Sequence, residues 1–400
     1  MTNFLQRVVP LAVVLVLAEL AQAQTFTTLY NFGGLDGNGP FAGVVQDPAG
    51  NLYGTTVLGG DLNCFAPDGC GVVYEVNTVG IEIVLHSFSG ADGQWPYTPV
   101  IRDSKGNIYR TTSNGGSYYY GAVFKINSAG KEKVLYNFTG GSDGCYPMQG
   151  LVRDEAGNLY GTAMACGEGE FGNGTVFKLD RAGNFTPLRT FTRGFSDGGV
   201  PQYGHLTMDK SGNLYGATYW GGDYDQGVLY KLSKNGVFTL LHSFAGGTSD
   251  GCYPFGSVVR DEAGSFYGTT PGCGSSNHGT IWKVSNKGKE SILHNFAGGA
   301  SDGCNPQAGV TRDLKGNLYG VTTDCGAYTY YGALYELSAK GKFALLHSFS
   351  GGSDGGGPWG EVWRSANGTL FGTAYDGGTH KLYGAIWSYV PKATADNLEP

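Results

Sequence analysis

The string GNLYGTT at Gly50–Thr56 returns six more times along the chain. It reads GNIYRTT from 106, GNLYGTA from 157, GNLYGAT from 212, GSFYGTT from 264, GNLYGVT from 316 and GTLFGTA from 368. Its aromatic falls at Tyr53, Tyr109, Tyr160, Tyr215, Tyr267, Tyr319 and Phe371, in steps of 56, 51, 55, 52, 52 and 52 residues. Self-similarity at such a period is the signature of a repeat architecture. Seven units fill nearly all of the chain beyond its first 23 residues.

Each unit keeps one internal order. An Asp-Gly turn and a proline (SDGCYP) come first, then a short apolar stretch ending in Asp (GLVRD). A D-x-x-G-N turn leads into LYGTT. A variable Gly-rich loop leads to GTVFKL, and a second turn leads to LHSF or LYNF. Alternating apolar and polar residues predict half-buried strands, four per unit, here named A to D. The composition agrees: 70 of 400 residues are glycine and 13% are aromatic, which favours short strands and tight turns. Outside the N-terminal segment no stretch carries a helical period.

Four short antiparallel strands repeated seven times predict an all-β, seven-bladed β-propeller of four-stranded blades. The ends fit that reading. The chain begins with an unaccompanied D strand, Thr28–Phe32, and finishes on a C strand, Gly384–Tyr389. The N-terminal strand is therefore expected to complete the last blade, closing the ring and removing exposed strand edges. A parallel β-helix is the alternative, but it does not account for the matched ends.

Eight cysteines follow the same logic. Cys145 and Cys166, Cys252 and Cys273, and Cys304 and Cys325 are each 21 residues apart. In every pair the first precedes strand A and the second follows strand B. Antiparallel pairing brings those two positions together, so each pair is expected to form a disulfide joining the D–A and B–C loops. Cys64 and Cys70 share one B–C loop and are expected to bond to each other. The recurrence of DGCYP at Asp143–Pro147 and Asp250–Pro254 is then one repeat feature with a local partner. No C-x-x-C spacing suggests zinc.

The first residues, MTNFLQRVVPLAVVLVLAELAQAQ, combine Arg7, an apolar run from Val8 to Ala18 and a small-x-small pattern at Ala21–Ala23. They read as a signal peptide over residues 1–23. A propeller over 24–390 and a short polar tail over 391–400 complete the expected organisation. The expected location is secreted or periplasmic, with no membrane span after cleavage and no visible C-terminal anchor. A net charge of −7 and a pI near 5.5 argue against a nucleic-acid partner.

The units resemble the GloVer (Gloeo/Verruco) tandem repeat of exported bacterial proteins. The residues that carry the likeness are GGSDGCYP (140–147), LVRD (151–154), GNLYGT (157–162) and GTVFKL (174–179). The resemblance implies export and supplies no activity. Arg110 replaces a glycine of the repeat and Ser365 replaces the aspartate before the A–B turn, so those two blades are expected to be locally irregular. The blades are also similar to the P-x-G-V-x-x-D-x-x-G-N-x-Y type, found in binding propellers and in some lyases, including those that inactivate streptogramins. Likeness at that level does not carry function.

Sites are sought where units differ, in the B–C loops and around the expected channel mouth. Aromatic rings beside Asp, Asn and Gly suit sugars, because ring faces pack on C–H patches while polar groups bond hydroxyls. The ligand-binding candidates are Trp95, Tyr119, Tyr146, Trp220, Tyr224, Tyr253, Tyr330 and Trp359. The competing reading is that these rings cover neighbouring blades. The Asp-Gly aspartates, Asp143, Asp250 and Asp302 among them, could line up as an acidic ring suited to calcium; as turn caps they need no ion. No cofactor is predicted. Catalytic motifs are absent, and the carboxylates open to an enzymatic reading are Glu168, Glu170, Asp223 and Asp225. His86, His242, His294 and His347 recur in strand D and read as blade positions; His205, His278 and His380 fall off the pattern. The expectation is a monomeric binding module for extracellular carbohydrate or a cell-surface protein. A polysaccharide- or small-molecule-cleaving enzyme, or a structural surface protein, are the alternatives.

Overall fold

The computed structural model describes residues 24–167, 172–380 and 382–392. The expected signal peptide and the tail from 393 onward lie outside the described residues. Strands pair in seven four-stranded antiparallel sheets, each in the order A-B-C-D. In blade 1 these are Val45–Gln46, Leu52–Thr56, Val72–Val76 and Glu82–Ser87. Blade 7 takes its A, B and C strands from Trp363–Arg364, Leu370–Ala374 and Ala385–Val390. Its fourth strand is the N-terminal Thr25–Asn31, paired antiparallel to Ala385–Val390. The all-β propeller is as the repeat predicts, and no helix occurs among the described residues.

The motif letters each have a structural cause. The A–B turn is set by its aspartate: Asp47 accepts hydrogen bonds from the Ala49 and Asn51 N–H groups, the Asn51 side chain and the Tyr53 hydroxyl. The first threonine of GTT donates to the segment leading into the next blade's A strand, as Thr55 does to the Pro96 carbonyl and Thr373 to that of Ala42. The glycine of LYGTT makes room for the C-strand ring opposite. A Cβ at Gly54 would lie 2.3 Å from the Tyr74 hydroxyl, and one at Gly268 would lie 2.4 Å from Trp282.

The core sits between blades rather than within them. The final phenylalanine of each LHSF-type segment packs edge-on or tilted against the next blade's C-strand ring. Phe88 meets Phe124 with centroids 5.1 Å apart, Phe244 meets Trp282 at 5.3 Å and Phe349 meets Trp387 at 5.7 Å. All are buried to within 1%. Burying one such ring contributes about 2–3 kcal/mol, and no blade can collect that contribution without its neighbour.

Strand D is less regular than its alternating letters suggest. Every C–D pair carries a bulge, between Val73 and Tyr74 in blade 1 and at the matching place in the others. The skipped residue is Leu29, Leu85, Leu135, Leu188, Leu241, Leu293 or Leu346. Each of these leucines packs on an inter-blade core cluster. A bulge re-aims the side chains that follow it, here the next residue of each D strand.

All four expected disulfides are present and no cysteine is free. Cys166, Cys273 and Cys325 have φ of 61°, 62° and 65°, where blades 1, 2, 4 and 7 have Gly59, Gly115, Gly221 and Gly377. The expected irregularity at Arg110 and Ser365 does not occur. Arg110 keeps its place opposite Phe124 in an unbroken ladder. Ser365 repeats the turn with backbone bonds of 2.9 and 3.0 Å to and from Thr369 and Gly368.

Candidate ligand site in the central channel

Each A strand runs from the D–A loops toward the A–B turn, so its residues line the channel in tiers. The first tier follows the proline of each unit. Phe41, Tyr97, Phe255 and Trp359 stand there, with Tyr203 from blade 4. Their rings meet: Phe41 lies 5.2 Å from Tyr97, 5.1 Å from Tyr203 and 5.0 Å from Trp359, and Tyr203 lies 4.6 Å from Phe255. The gap left among them is about 30 Å³, so this end of the channel is shut by aromatic packing. Burial, together with Tyr97 and Tyr375, pushes the Tyr203 hydroxyl up to about 12 and keeps it neutral.

Two residues further along, the repeat breaks its own symmetry. The wall position is Gly43, Pro99, Gly150, His205, Ser257, Gly309 and Glu361 in blade order. Three blades thus put polar side chains where the others have glycine or proline. His205 Nδ1 lies 2.7 Å from Ser257 Oγ and 3.4 Å from Glu361 Oε2. The Ser257 N–H donates to Glu361 Oε1 at 3.1 Å, and the His205 N–H donates to Ser257 Oγ at 2.7 Å. Glu361 reaches Ser257 because Gly309 lies between them: a Cβ there would sit 2.9 Å from Glu361 Oε1.

Beyond this tier the channel widens into a cavity of about 650 Å³ toward the A–B turns. His205 and Glu361 lie in its lining, with apolar walls from Val45, Ile101, Val152, Val259 and Trp363. Arg102, Arg153, Arg312 and Arg364 stand at its rim, at the ends of their A strands. The guanidinium of Arg102 stacks 3.9 Å over Tyr53, and that of Arg312 5.5 Å over Tyr267, which fixes their direction. Ser257 and His205 do not form a nucleophilic pair of the hydrolase kind, since serine and carboxylate share one imidazole nitrogen. The arrangement instead holds the ring by Nδ1 beside a carboxylate, over a space the size of a small ligand.

The aromatic candidates are divided by the structure. Trp359 belongs to the closed tier. Trp220 and Tyr253 meet at 4.9 Å, and Tyr219 stacks on Tyr253 at 4.9 Å. The Arg193 guanidinium lies 4.4 Å over Trp220. Trp95 is packed edge-on against Phe65, and Tyr146 lies beside Tyr120. Trp95, Tyr146 and Tyr253 share a backbone role, with φ of 56–57° and N–H groups bonded to the preceding blade's B–C loop. Tyr119, Tyr224 and Tyr330 stand exposed on separate loops.

Asp225 is clamped by Arg193 through bonds of 2.9 and 2.6 Å. That pairing lowers its pKa and removes it as a free base. Asp223 lies beside it on an exposed turn. Glu168 and Glu170 lie outside the described residues. The Asp-Gly aspartates do not converge on one ion: Asp143 accepts from Tyr136 in one blade, Asp250 faces His242 in another, and Asp302 bonds His294 in a third. Each also caps its own turn, as the Thr139, Ala245 and Ala297 N–H groups show.

Sequence reasoning set His205 apart and missed Ser257 and Glu361. A column-by-column comparison of the seven A strands would have found them, since they replace a repeat glycine.

Among solved structures, the extracellular domain of what is described as a one-component system from B. thetaiotaomicron aligns with a TM-score of 0.55 at 12% identity, over 91% of this chain and 40% of that one. The corresponding domain of a hybrid two-component system from the same organism aligns at 0.54 and 11% identity, over 92% and 41%. The chain thus spans about two fifths of these ectodomains, and at such identities the likeness is one of fold. A gluconolactonase from Xanthomonas campestris aligns at 0.47 and 12% identity, over 92% and 90%. No curated protein sequence matches the chain. The Gloeobacter/Verrucomicrobia repeat profile matches four times, over residues 16–168, 65–271, 149–328 and 256–398. With its whole propeller covered by those matches, the chain belongs to the Gloeobacter/Verrucomicrobia repeat family.

Proposed function

We propose that the protein is an exported binding module that takes a small carbohydrate into its channel from the A–B turn end. The observation that carries this reading is the break in repeat symmetry at His205, Ser257 and Glu361, of which His205 and Glu361 line a cavity of about 650 Å³. Glu361 and His205 offer polar groups for hydroxyls, while Trp363 and the valine walls offer apolar surface for the ring's C–H faces. The arginine rim favours sugars that carry a carboxylate. Four disulfides and the N-terminal sequence support a location outside the cytoplasm. The surface group of Trp220, Tyr253 and Tyr219 is the competing contact surface for a larger glycan or a protein.

The test is calorimetric titration of the oxidised mature protein with a panel of neutral and acidic sugars. Glu361→Gly and His205→Gly restore the residue that sister blades carry, so both are expected to fold. Each should weaken binding about tenfold or more, the loss of a hydrogen bond to the ligand. Trp220→Ala should leave it unchanged; the reverse pattern would move the site to the loop face.

One observation favours a second reading. An imidazole oriented through Nδ1 by a carboxylate is also how a general acid or base is held. Product appearing in the same titration mixtures, and lost in His205→Gly, would make the channel an active site.

A further inference from the structure

The outer rim of the propeller repeats one more arrangement, away from the channel. The residue after each bulged leucine faces the Asp-Gly aspartate that follows it and the next blade's D strand. These residues are Tyr30, His86, Tyr136, Arg189, His242, His294 and His347. At four junctions the third side is phenylalanine. Tyr136 stacks on Phe185 at 4.3 Å, His294 on Phe343 at 4.1 Å and His347 on Phe26 at 3.7 Å, and the Arg189 guanidinium lies 4.5 Å over Phe238. At the other three junctions a glutamate stands there: Glu82, Glu132 and Glu290.

Between blades 4 and 5 this places His242, Asp250 and Glu290 together. His242 Nε2 is 3.5 Å from Asp250 Oδ2 and 4.0 Å from Glu290 Oε2, and one ligand atom from each lies within 4.8 Å of the others. The three side chains are 15%, 11% and 10% exposed. His242 Nε2 and Glu290 Oε1 are buried with no hydrogen-bond partner. Two facing carboxylates and an unmet imidazole nitrogen are costly to bury. Phenylalanine fills the same position elsewhere without that cost, so the glutamate needs another reason.

We propose that His242, Asp250 and Glu290 bind a divalent transition-metal ion, zinc being the simplest fit, and that His86, Asp92 and Glu132 form a second such site. One imidazole and two carboxylates supply three ligands of a tetrahedral zinc, leaving one position for water. Around bonds of 2.0–2.1 Å, tetrahedral ligand atoms lie roughly 3.3 Å apart, close to the spacing at His242. Nitrogen ligation argues against calcium and magnesium, which take oxygen. Outer contacts hold the ligands in place: the Ala245 N–H donates to Asp250 Oδ2 at 2.7 Å, the Gly251 N–H donates to Oδ1 at 2.6 Å, and His242 is set edge-on to Phe244 at 4.8 Å. In the second site His86 Nε2 is 2.8 Å from Asp92 Oδ2, and Glu132 Oε1 is likewise buried and unpartnered. Glu82 faces Tyr30 instead of a histidine, which leaves that junction one nitrogen short. Each ion ties two outer strands and the turn between them, a staple on the circumference.

The experiment uses untagged, oxidised mature protein stripped with chelator, then dialysed against zinc and assayed for bound metal. Two equivalents are expected, with a rise in Tm. Glu290→Phe and Glu132→Phe install the residue of the sister junctions; each should fold and lose one equivalent, and the double variant should lose both. Glu290→Gln, which keeps the shape, should lose the same equivalent. Cobalt substituted for zinc should show the visible bands of tetrahedral coordination in the wild type and not in the double variant. No zinc uptake by the wild type, or uptake unchanged in the double variant, overturns the proposal.

Discussion

Asp47 gathers four hydrogen bonds on one carboxylate, and the letters D, N and Y of the repeat exist to make them. Burial works against ionisation at this turn, but the bonds from Asn51 and Tyr53 and the nearby Arg102 charge outweigh it and lower the pKa. Asp103, Asp154, Asp209 and Asp261 are lowered in the same way. A lowered folded pKa means the unfolded chain binds more protons. The stability it contributes is full above the ordinary aspartate value of 3.8 and is lost as pH falls through the folded value. Urea unfolding followed down through that range should show stability falling steeply, and Asp154→Asn should flatten part of the slope. Arg110 is the opposite case. It is fully buried, bonds the Thr55 hydroxyl, and leaves Nε and Nη2 unpartnered beside the equally unpartnered Tyr74 hydroxyl. Burial pushes its pKa well below the ordinary value. Replacing it with the repeat's own pair, Arg110→Gly with Phe124→Tyr, should raise stability by about 1–3 kcal/mol, measured by urea unfolding.

At the scale of strands and loops, period and pairing were legible and local departures were not. The seven LYGTT strands and the three cysteine pairs follow from spacing alone, because antiparallel A and B strands bring Cys145 to Cys166 whatever the loop between them. The D-strand bulge was invisible, since VLHSF alternates on paper as well as a regular strand does. Only the ladder shows Leu85 stepping out of register, which turns His86 toward Asp92. The Asp-Gly aspartates cap their turns, but their histidine, tyrosine and arginine partners come from bulged positions and stayed hidden. The channel site was missed for a different reason: His205, Ser257 and Glu361 sit in three separate repeats and meet only around the ring. The same ladder also predicts what a disulfide is worth. Asn38 pairs with Leu58 and Gln94 with Asn114 where Cys145 pairs with Ala165, so these loops meet in the same way with no disulfide between them. Cys145→Asn with Cys166→Gly, copying blade 1, should therefore fold and lose about 3 kcal/mol in thermal or urea unfolding. A failure to fold would mean that the bond shapes the loop as well as stapling it.

Across the whole molecule the core is shared between blades, so each stands only while its neighbours do. In blade 7 alone the C and D strands are not joined by a turn, since its fourth strand comes from the other end of the chain. There the strand Thr25–Asn31 lies along Ala385–Val390, and Phe26 stacks 3.7 Å from His347 and packs edge-on at 5.7 Å to Phe349. Phe32 carries the contact onward to Tyr74 in blade 1 at 5.1 Å. Without that strand, Ala385–Val390 is an uncovered edge beside an open core, the surface on which sheets add further strands. A chain beginning at Gly33 should therefore melt at lower temperature and form dimers or larger species in sedimentation. A peptide of sequence TFTTLYNF added in trans should bind it and return the monomer. If the shortened chain stays monomeric at an unchanged Tm, the N-terminal strand is an ornament on a ring held by its other contacts, such as Thr373 to the Ala42 carbonyl. If it associates and the peptide reverses this, the strand is what closes the propeller.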